Sequence, residues 1–330
     1  MDHTRKSIPL VAALVMACTA LTFTAATARA EEQTVKIICH NLGSNADSDL
    51  NNDGVYAGHG SVEDPITRVV NRIQAENPHA ACLQEVCEVD VQRMLNQLGA
   101  PWVASQFVPT QPAKPYPSPD GFNNSCEDQR HISTGKGNVI LTRMQIWPGE
   151  EGTVELIPAI ANHQYKGRYI RMGWINIVKG GVMGGRMKIC NVHLSAGDAA
   201  EDVTQRNSQA VEARNYLNGV EPTMPVVVAG DFNSVPKTYV IDQFHGVNRA
   251  GTAWKLDSHF YEGDHVGTNT FGYWRDGAPT HGVNGLDPIK IDHVFFGQTF
   301  TKSPSSVDLY TRWSDTSYHE VITATTIFQW

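Results

Sequence analysis

Short apolar runs recur along this chain, and several of them stop at residues with reactive chemistry. Val226 to Ala229 is an unbroken apolar run that ends in Gly230, Asp231, Phe232 and Asn233. A run of that length reads as a strand buried on both faces of a sheet. The same pattern predicts strands at Val35–Cys39, Ala80–Val86, Gly137–Leu141, Met187–Cys190, Asp292–Phe296 and Val321–Ile327. Tyr169 to Trp174 alternates inward and outward, which predicts another strand and makes Arg171 a candidate phosphate contact.

Helical spacing fills the gaps between several of these runs. Asp64 and Pro65 form a helix start, and Ile66, Val69, Val70 and Ile73 follow as one apolar stripe. Val91, Met94, Leu95 and Leu98 make a second stripe, closed by Gly99. A third helix is expected near residues 201–217. The stretch from Pro109 to Lys136 is rich in Pro, Gly and Asn and reads as a long loop.

The first 30 residues have a different character. Arg5 and Lys6 form a basic start, Ile8 to about Ala26 is mostly apolar, and Ala28-Arg29-Ala30 places small residues at a cleavage spacing. The expectation is a secretory signal peptide cut after about Ala30, giving a secreted protein. No other segment approaches the ~20 apolar residues of a membrane span, so no transmembrane segment is expected. Residues 31–330 are expected to form one domain, because the polar strand ends run from Asn41 to His319 and have to converge.

Charge narrows the function. The whole chain carries -8; Arg5, Lys6 and Arg29 against Asp2 give the leader +2, so the remainder stands at -10. A protein that grips phosphates by bulk positive charge is basic. If this one handles phosphates, it needs a divalent cation to offset its own carboxylates. Of six cysteines, Cys18 lies in the leader, and Cys39, Cys82 and Cys190 lie in strand-like runs as expected buried thiols. Cys87, just past a strand, and Cys126, in the polar loop, are the pair expected to form a disulfide in an oxidising compartment.

Two groups of residues carry candidate chemistry. Asp49, Asn51, Asp53 and Gly54 match the first half of a Ca²⁺ loop, but the twelfth position is Gly60 and not the bidentate Glu such a loop uses. A solvated Asx-rich loop is the competing reading. The second group sits at or near strand ends: Asn41, Glu85, His193, Asp231, Asn233, Asp292 and His319. Singly, each has a structural explanation. Together, ordered along one chain, they supply hard oxygen ligands, proton acceptors and imidazoles, a set that separate structural roles explain poorly.

The motifs HNLG (40–43), LQEV (83–86), GNVILTR (137–143), NVHLS (191–195), GDFNS (230–234), IDHVFF (291–296) and YHEVI (318–322) resemble the endonuclease/exonuclease/phosphatase superfamily. Its secreted members include deoxyribonuclease I-like enzymes and bacterial sphingomyelinases. The resemblance implies a four-layered α/β sandwich of two packed mixed β-sheets flanked by helices. It implies that Glu85 is the principal metal carboxylate with Asn41 beside it, and that the ion is Mg²⁺ or Mn²⁺. Asp231 would position or deprotonate the attacking water, Asn233 and Asn138 would contact the substrate, and His193 would stabilise phosphoryl charge. Asp292 would orient His319.

One position departs from the family pattern. The family's closing Ser-Asp-His motif has Tyr318 before His319 here, and Asp315 is the remaining candidate for the lost carboxylate. The leading expectation is a monomeric, secreted, Mg²⁺-dependent phosphodiesterase acting on nucleic acid. A sphingomyelinase or phosphoinositide phosphatase with the same machinery is the first alternative. A non-catalytic, toxin-like binding component is the second.

Overall fold

The computed structural model describes residues 32–42, 65–111, 136–156, 171–178, 186–220, 222–236, 238–244, 260–262, 290–309, 319 and 321–329. The chain divides into two units, 1–30 and 31–330, and every described residue belongs to the second. The leader, the loop of Asp49, Asn51 and Asp53, and also Cys126, Asp315 and Tyr318, lie outside the described residues.

In chain order the elements are β1 (Glu32–Asn41), α1 (Pro65–Glu76), β2 (Ala80–Cys87), α2 (Glu88–Leu98), β3 (Val103–Ala104), β4 (Val108–Gln111), β5 (Lys136–Thr142), β6 (Gln145–Glu155), β7 (Arg171–Val178), β8 (Arg186–His193), α3 (Ala200–Asn218), β9 (Val226–Asp231), α4 (Tyr239–Asp242), β10 (Phe260–Glu262), β11 (Asp292–Gly297), β12 (Thr301–Leu309) and β13 (Ile322–Gln329). They build a seven-stranded sheet, ordered β12-β13-β1-β2-β5-β3 with β4 also on β5, and a six-stranded sheet, ordered β10-β11-β9-β8-β7-β6. Each sheet contains one parallel pair, β1 with β2 and β8 with β9, among antiparallel neighbours.

The period of two along each strand sorts side chains into layers. Val35, Ile37 and Cys39 of β1, Met187 and Ile189 of β8, Val227 and Ala229 of β9, and Val294 and Phe296 of β11 share one core between the sheets. The opposite faces pack on helices. Ile38 and Leu83 meet Ile66, Val70 and Met94 of α1 and α2, and Val226 and Val228 meet Ala210, Ala213 and Ile241 of α3 and α4. The result is the four-layered α/β sandwich.

A parallel pair brings the carboxyl ends of two strands to one edge of its sheet. Both sheets do this at the same end of the sandwich. Asn41 and Asp231 have the parity of the inter-sheet core on β1 and β9, as does His193 on β8. The core therefore turns polar at that edge without any change in strand direction.

Two glycines make this edge possible. A Cβ on Gly230 (φ 159°) would lie 1.9 Å from the Val192 carbonyl oxygen, and one on Gly137 would lie 2.2 Å from the Val108 carbonyl oxygen. Both contacts are with backbone, which has little room to retreat. Gly230→Ala is expected to destabilise the fold by about 3 kcal/mol, the upper range for forced overpacking. Urea denaturation followed by circular dichroism checks this, and a change within ~0.5 kcal/mol would show that β8 and β9 can part.

Several expectations shift in detail. The β2 strand expected over Ala80–Val86 runs one residue further, to Cys87, and is not regular: a bulge lies between Leu83 and Val86. Gln145–Glu155 and Thr301–Leu309 are strands that the pattern missed. Pro148 and Gly149 inside β6, and Pro304 among serines in β12, read as turn signals, and register shifts in both strands accommodate them.

Candidate active site

Glu85 lies in the bulge of β2 with φ 56°. Strict alternation would turn its side chain toward α1 and α2, because Leu83 faces that way. The left-handed residue breaks the alternation, so that Gln84 and Glu85 both address the gap between the sheets while Val86 returns to the helix side. Such a conformation costs a non-glycine residue on the order of 1 kcal/mol and is found where the surroundings hold it. The Glu85 carboxylate is ion-paired with Lys136 Nζ, and its Oε1 is 4.0 Å from His193 Nε2.

The two sheets meet across this edge through polar contacts. Asn41 Nδ2 donates to Asp231 Oδ2 at 2.9 Å. Asp231 Oδ1 accepts the Asn233 backbone N–H at 2.8 Å. The Nε2 atoms of His193 and His319 stand 3.6 and 3.8 Å from Asp231 Oδ2. Asp292 Oδ2 holds His319 Nδ1 at 2.8 Å. Asn41, Glu85, His193, Asp231, Asp292 and His319 thus form one continuous cluster drawn from six separate points in the chain.

Burial sets the electrostatics. Desolvation opposes the charge on Glu85, but Lys136, then His193, outweigh it and hold its pKa down at about 2. Desolvation likewise opposes the charge on His319, and Asp292 and Asp231 overcome it and raise its pKa to about 9. Asp231 moves the other way: burial, then Asp292, raises its pKa against the pull of His319, His193 and Asn41. At neutral pH the edge therefore holds an ionised Glu85 and an imidazolium at His319, with Asp231 more basic than an ordinary carboxylate.

The remaining expected residues fall out as follows. Asn233 (φ 47°) takes the left-handed turn that follows β9, and its amide donates to the Leu194 carbonyl at 2.9 Å, tying the loop after β9 to the loop after β8. Asn138 is fully buried on β5, and neither end of its amide has a hydrogen-bond partner among the described residues. Arg171 is the first residue of β7, and its side chain lies outside what the structure describes. Cys39, Cys82 and Cys190 are buried and free. Cys87, the last residue of β2, is disulfide-bonded.

Four residues with no candidate role in the sequence pattern contribute to the site: Lys136, Gln84, Asn191 and Arg206. Lys136 has the same parity on β5 as Asn138 and Ile140, and the pattern K-G-N-V-I carried that signal. Gln84 donates to Asn191 Oδ1 at 2.6 Å, and Asn191 donates to the carbonyls of Leu83 and Val139, each at 2.9 Å. This buried bridge pins the two sheets together directly behind the bulge. Arg206 of α3 donates to Ser195 and Gly197 carbonyls and to the Ser234 hydroxyl, bracing both loops that border the site.

Two sets of side chains could hold a cation. The ligand atoms of Asp231, Asp292 and His319 lie within 4.8 Å of one another. In the metal-free protein Asp292 favours the protonated form of His319, so an ion bound there has to displace that proton. Glu85 with the Asn41 carbonyl offers oxygen ligands and a carboxylate that stays ionised, the donor chemistry of Mg²⁺ and Mn²⁺.

No curated protein matches the chain. Solved structures do. The endonuclease/exonuclease/phosphatase from Beutenbergia cavernae DSM 12333 superposes with a TM-score of 0.60 at 17% identity, covering 90% of this chain and 72% of that one. The human Nocturnin catalytic domain with bound sulfate anion gives 0.60 at 17% identity, over 91% and 97% of the two chains. Truncated Caenorhabditis elegans TDP2 gives 0.53 at 14% identity, over 89% and 97%. At such identities the likeness concerns the fold. A model of the Endonuclease/Exonuclease/phosphatase family matches residues 41–319, from one border of the site to the other, and by that match the chain belongs to the family, whose members are generally metal-dependent phosphoric-ester hydrolases.

Proposed function

We propose that this protein is an exported phosphodiesterase that uses Mg²⁺ or Mn²⁺ to hydrolyse nucleic-acid phosphodiester bonds. The observation that carries the reading is the cluster itself: an ionised Glu85, a basic Asp231 and a charged His319 meeting at one edge between two sheets. Glu85 and Asn41 would hold the cation. When bound, it supplies charge to offset the negative oxygens at phosphorus.

The chain's own residues do the rest. Asp231 Oδ2 accepts a proton from the attacking water, favoured by the burial that raises its basicity. His319, oriented by Asp292, presents Nε2 as a charged donor toward the same space. His193 Nε2, between Glu85 and Asp231, stabilises phosphoryl oxygens. The buried Asn138 amide gives a phosphate oxygen a donor, and Asn233 fixes the turn that aims Asp231. TDP2 and Nocturnin show that this fold occurs in proteins of those names; a nucleic-acid substrate here rests on the motifs and on the site's chemistry. Asp315 and a Ca²⁺ ion at Asp49, Asn51 and Asp53 are further candidates within the same reading.

A substrate panel tests it. Supercoiled plasmid, RNA, sphingomyelin and an inositol polyphosphate are each incubated with the protein and Mg²⁺. Nicked plasmid or cleaved RNA is the expected product, and turnover of only the lipid or the inositol phosphate would overturn the nucleic-acid assignment.

Export and the disulfide go together. We place the mature start at about Glu31 and the partner of Cys87 at Cys126, 39 residues on. Such a link would tie the residues before β5 to the strand that carries Glu85 and stabilise the fold by roughly 3–4 kcal/mol in the chain-entropy picture. Non-reducing peptide mapping should recover Cys87 and Cys126 in one linked peptide. Alkylation of both in the unreduced protein would contradict it.

A further inference from the structure

Lys136 is the least expected member of the site. It opens β5, is 2% exposed, and places its ammonium directly on the Glu85 carboxylate. A lysine head is almost never buried without a specific partner, because losing its hydration is costly. Its parity on β5 turns it into the gap between the sheets beside Asn138, and so toward the space where a cation on Glu85 would sit. A divalent ion held by Glu85 and this ammonium would then be like charges at close range in a poorly solvated place. Like charges a few ångströms apart repel strongly there.

We propose that Lys136 and the divalent ion exchange on Glu85: the lysine neutralises the carboxylate in the metal-free protein and yields it when the ion binds. The proposal rests on the reading of Glu85 as the cation's carboxylate. A four-carbon stem with a compact head can leave the carboxylate and stay within the same gap. The arrangement keeps Glu85 ionised and the bulge of β2 held before any metal arrives. It also sets the metal affinity below that of a site with no resident cation.

The test uses Mg²⁺ alone as the probe. Isothermal titration of EDTA-treated wild type and Lys136→Met should show one saturable Mg²⁺ site in each, at least ~10-fold tighter in the variant because a repelling charge is gone. Equal or weaker binding in the variant overturns the exchange. Absence of any saturable binding in the wild type overturns both the exchange and the reading of Glu85. A second measurement needs no variant. Acetylation of wild-type lysines, read by peptide mass spectrometry in EDTA and in saturating Mg²⁺, should show Lys136 severalfold more reactive with the metal. Unchanged reactivity of Lys136 in protein that binds Mg²⁺ overturns the exchange while leaving Glu85 as the ligand.

Discussion

Glu85→Gln is expected to lower phosphodiester hydrolysis by ~10³-fold or more, the upper end for removal of one electrostatic contributor. The substitution keeps the length and one carbonyl oxygen of the side chain but removes the charge that a divalent ion needs. Losing even an outer-shell partner weakens metal binding by about 10–100-fold, so losing the carboxylate should cost at least ~10² in Mg²⁺ affinity. The variant should also change acid stability in a defined direction. In the metal-free wild type, Glu85 has its pKa lowered from 4.5 to about 2. Its stabilising contribution is therefore present above pH ~4.5 and is lost as pH falls toward 2. Glu85→Gln should lack that acid limb. Wild-type turnover in a variant that has lost Mg²⁺ binding would separate catalysis from the metal and contradict the mechanism.

His319→Ala and His193→Ala are each expected to cut turnover at least ~10²-fold, the scale of general acid–base or electrostatic groups. The His319 variant should also change stability with pH. His319 sits 2.8 Å from Asp292 and its pKa is raised from 6.5 to about 9. Its contribution is present in full below pH ~6.5 and is lost as pH rises through 9, amounting to about 3 kcal/mol at the acid end. Metal-free His319→Gln should therefore melt well below wild type at pH 6 and close to it at pH 10. His193 Nε2 stands 4.0 Å from Glu85 Oε1 and 3.6 Å from Asp231 Oδ2, where it can act on charge at the reacting phosphorus. Full activity per folded molecule in either alanine variant would make that histidine structural.

Much of the site was legible because strand parity and strand ends are written in local sequence. Val226 to Ala229 followed by Gly230 and Asp231 gave both the buried strand and the residue that leaves it on the inter-sheet side. What the local pattern lacked was the bulge at Glu85. A period of two turns Glu85 toward the helices, and only a positive φ, which leaves no mark in the residue type, brings it back. Lys136 was hidden for a similar reason, since a lysine at the border of a polar stretch reads as solvated until its β5 parity and Glu85 are seen together. The third helix gave a weak apolar stripe because its buried face carries Asp202, Gln205, Arg206 and Gln209, of which Arg206 and Gln209 brace the site loops. Sequence distance hid the Gln84–Asn191 bridge, whose two residues are 107 apart.

Metal-dependent nicking reads out the polar edge between the sheets most directly. Protein stripped with EDTA is incubated with supercoiled plasmid while Mg²⁺ is titrated back, beside Glu85→Gln treated identically. No nicking is expected in EDTA, with a saturable return on adding Mg²⁺ to the wild type and no return in the variant over the same range. Nicking that survives EDTA, or a variant that responds to Mg²⁺ as the wild type does, would contradict this expectation.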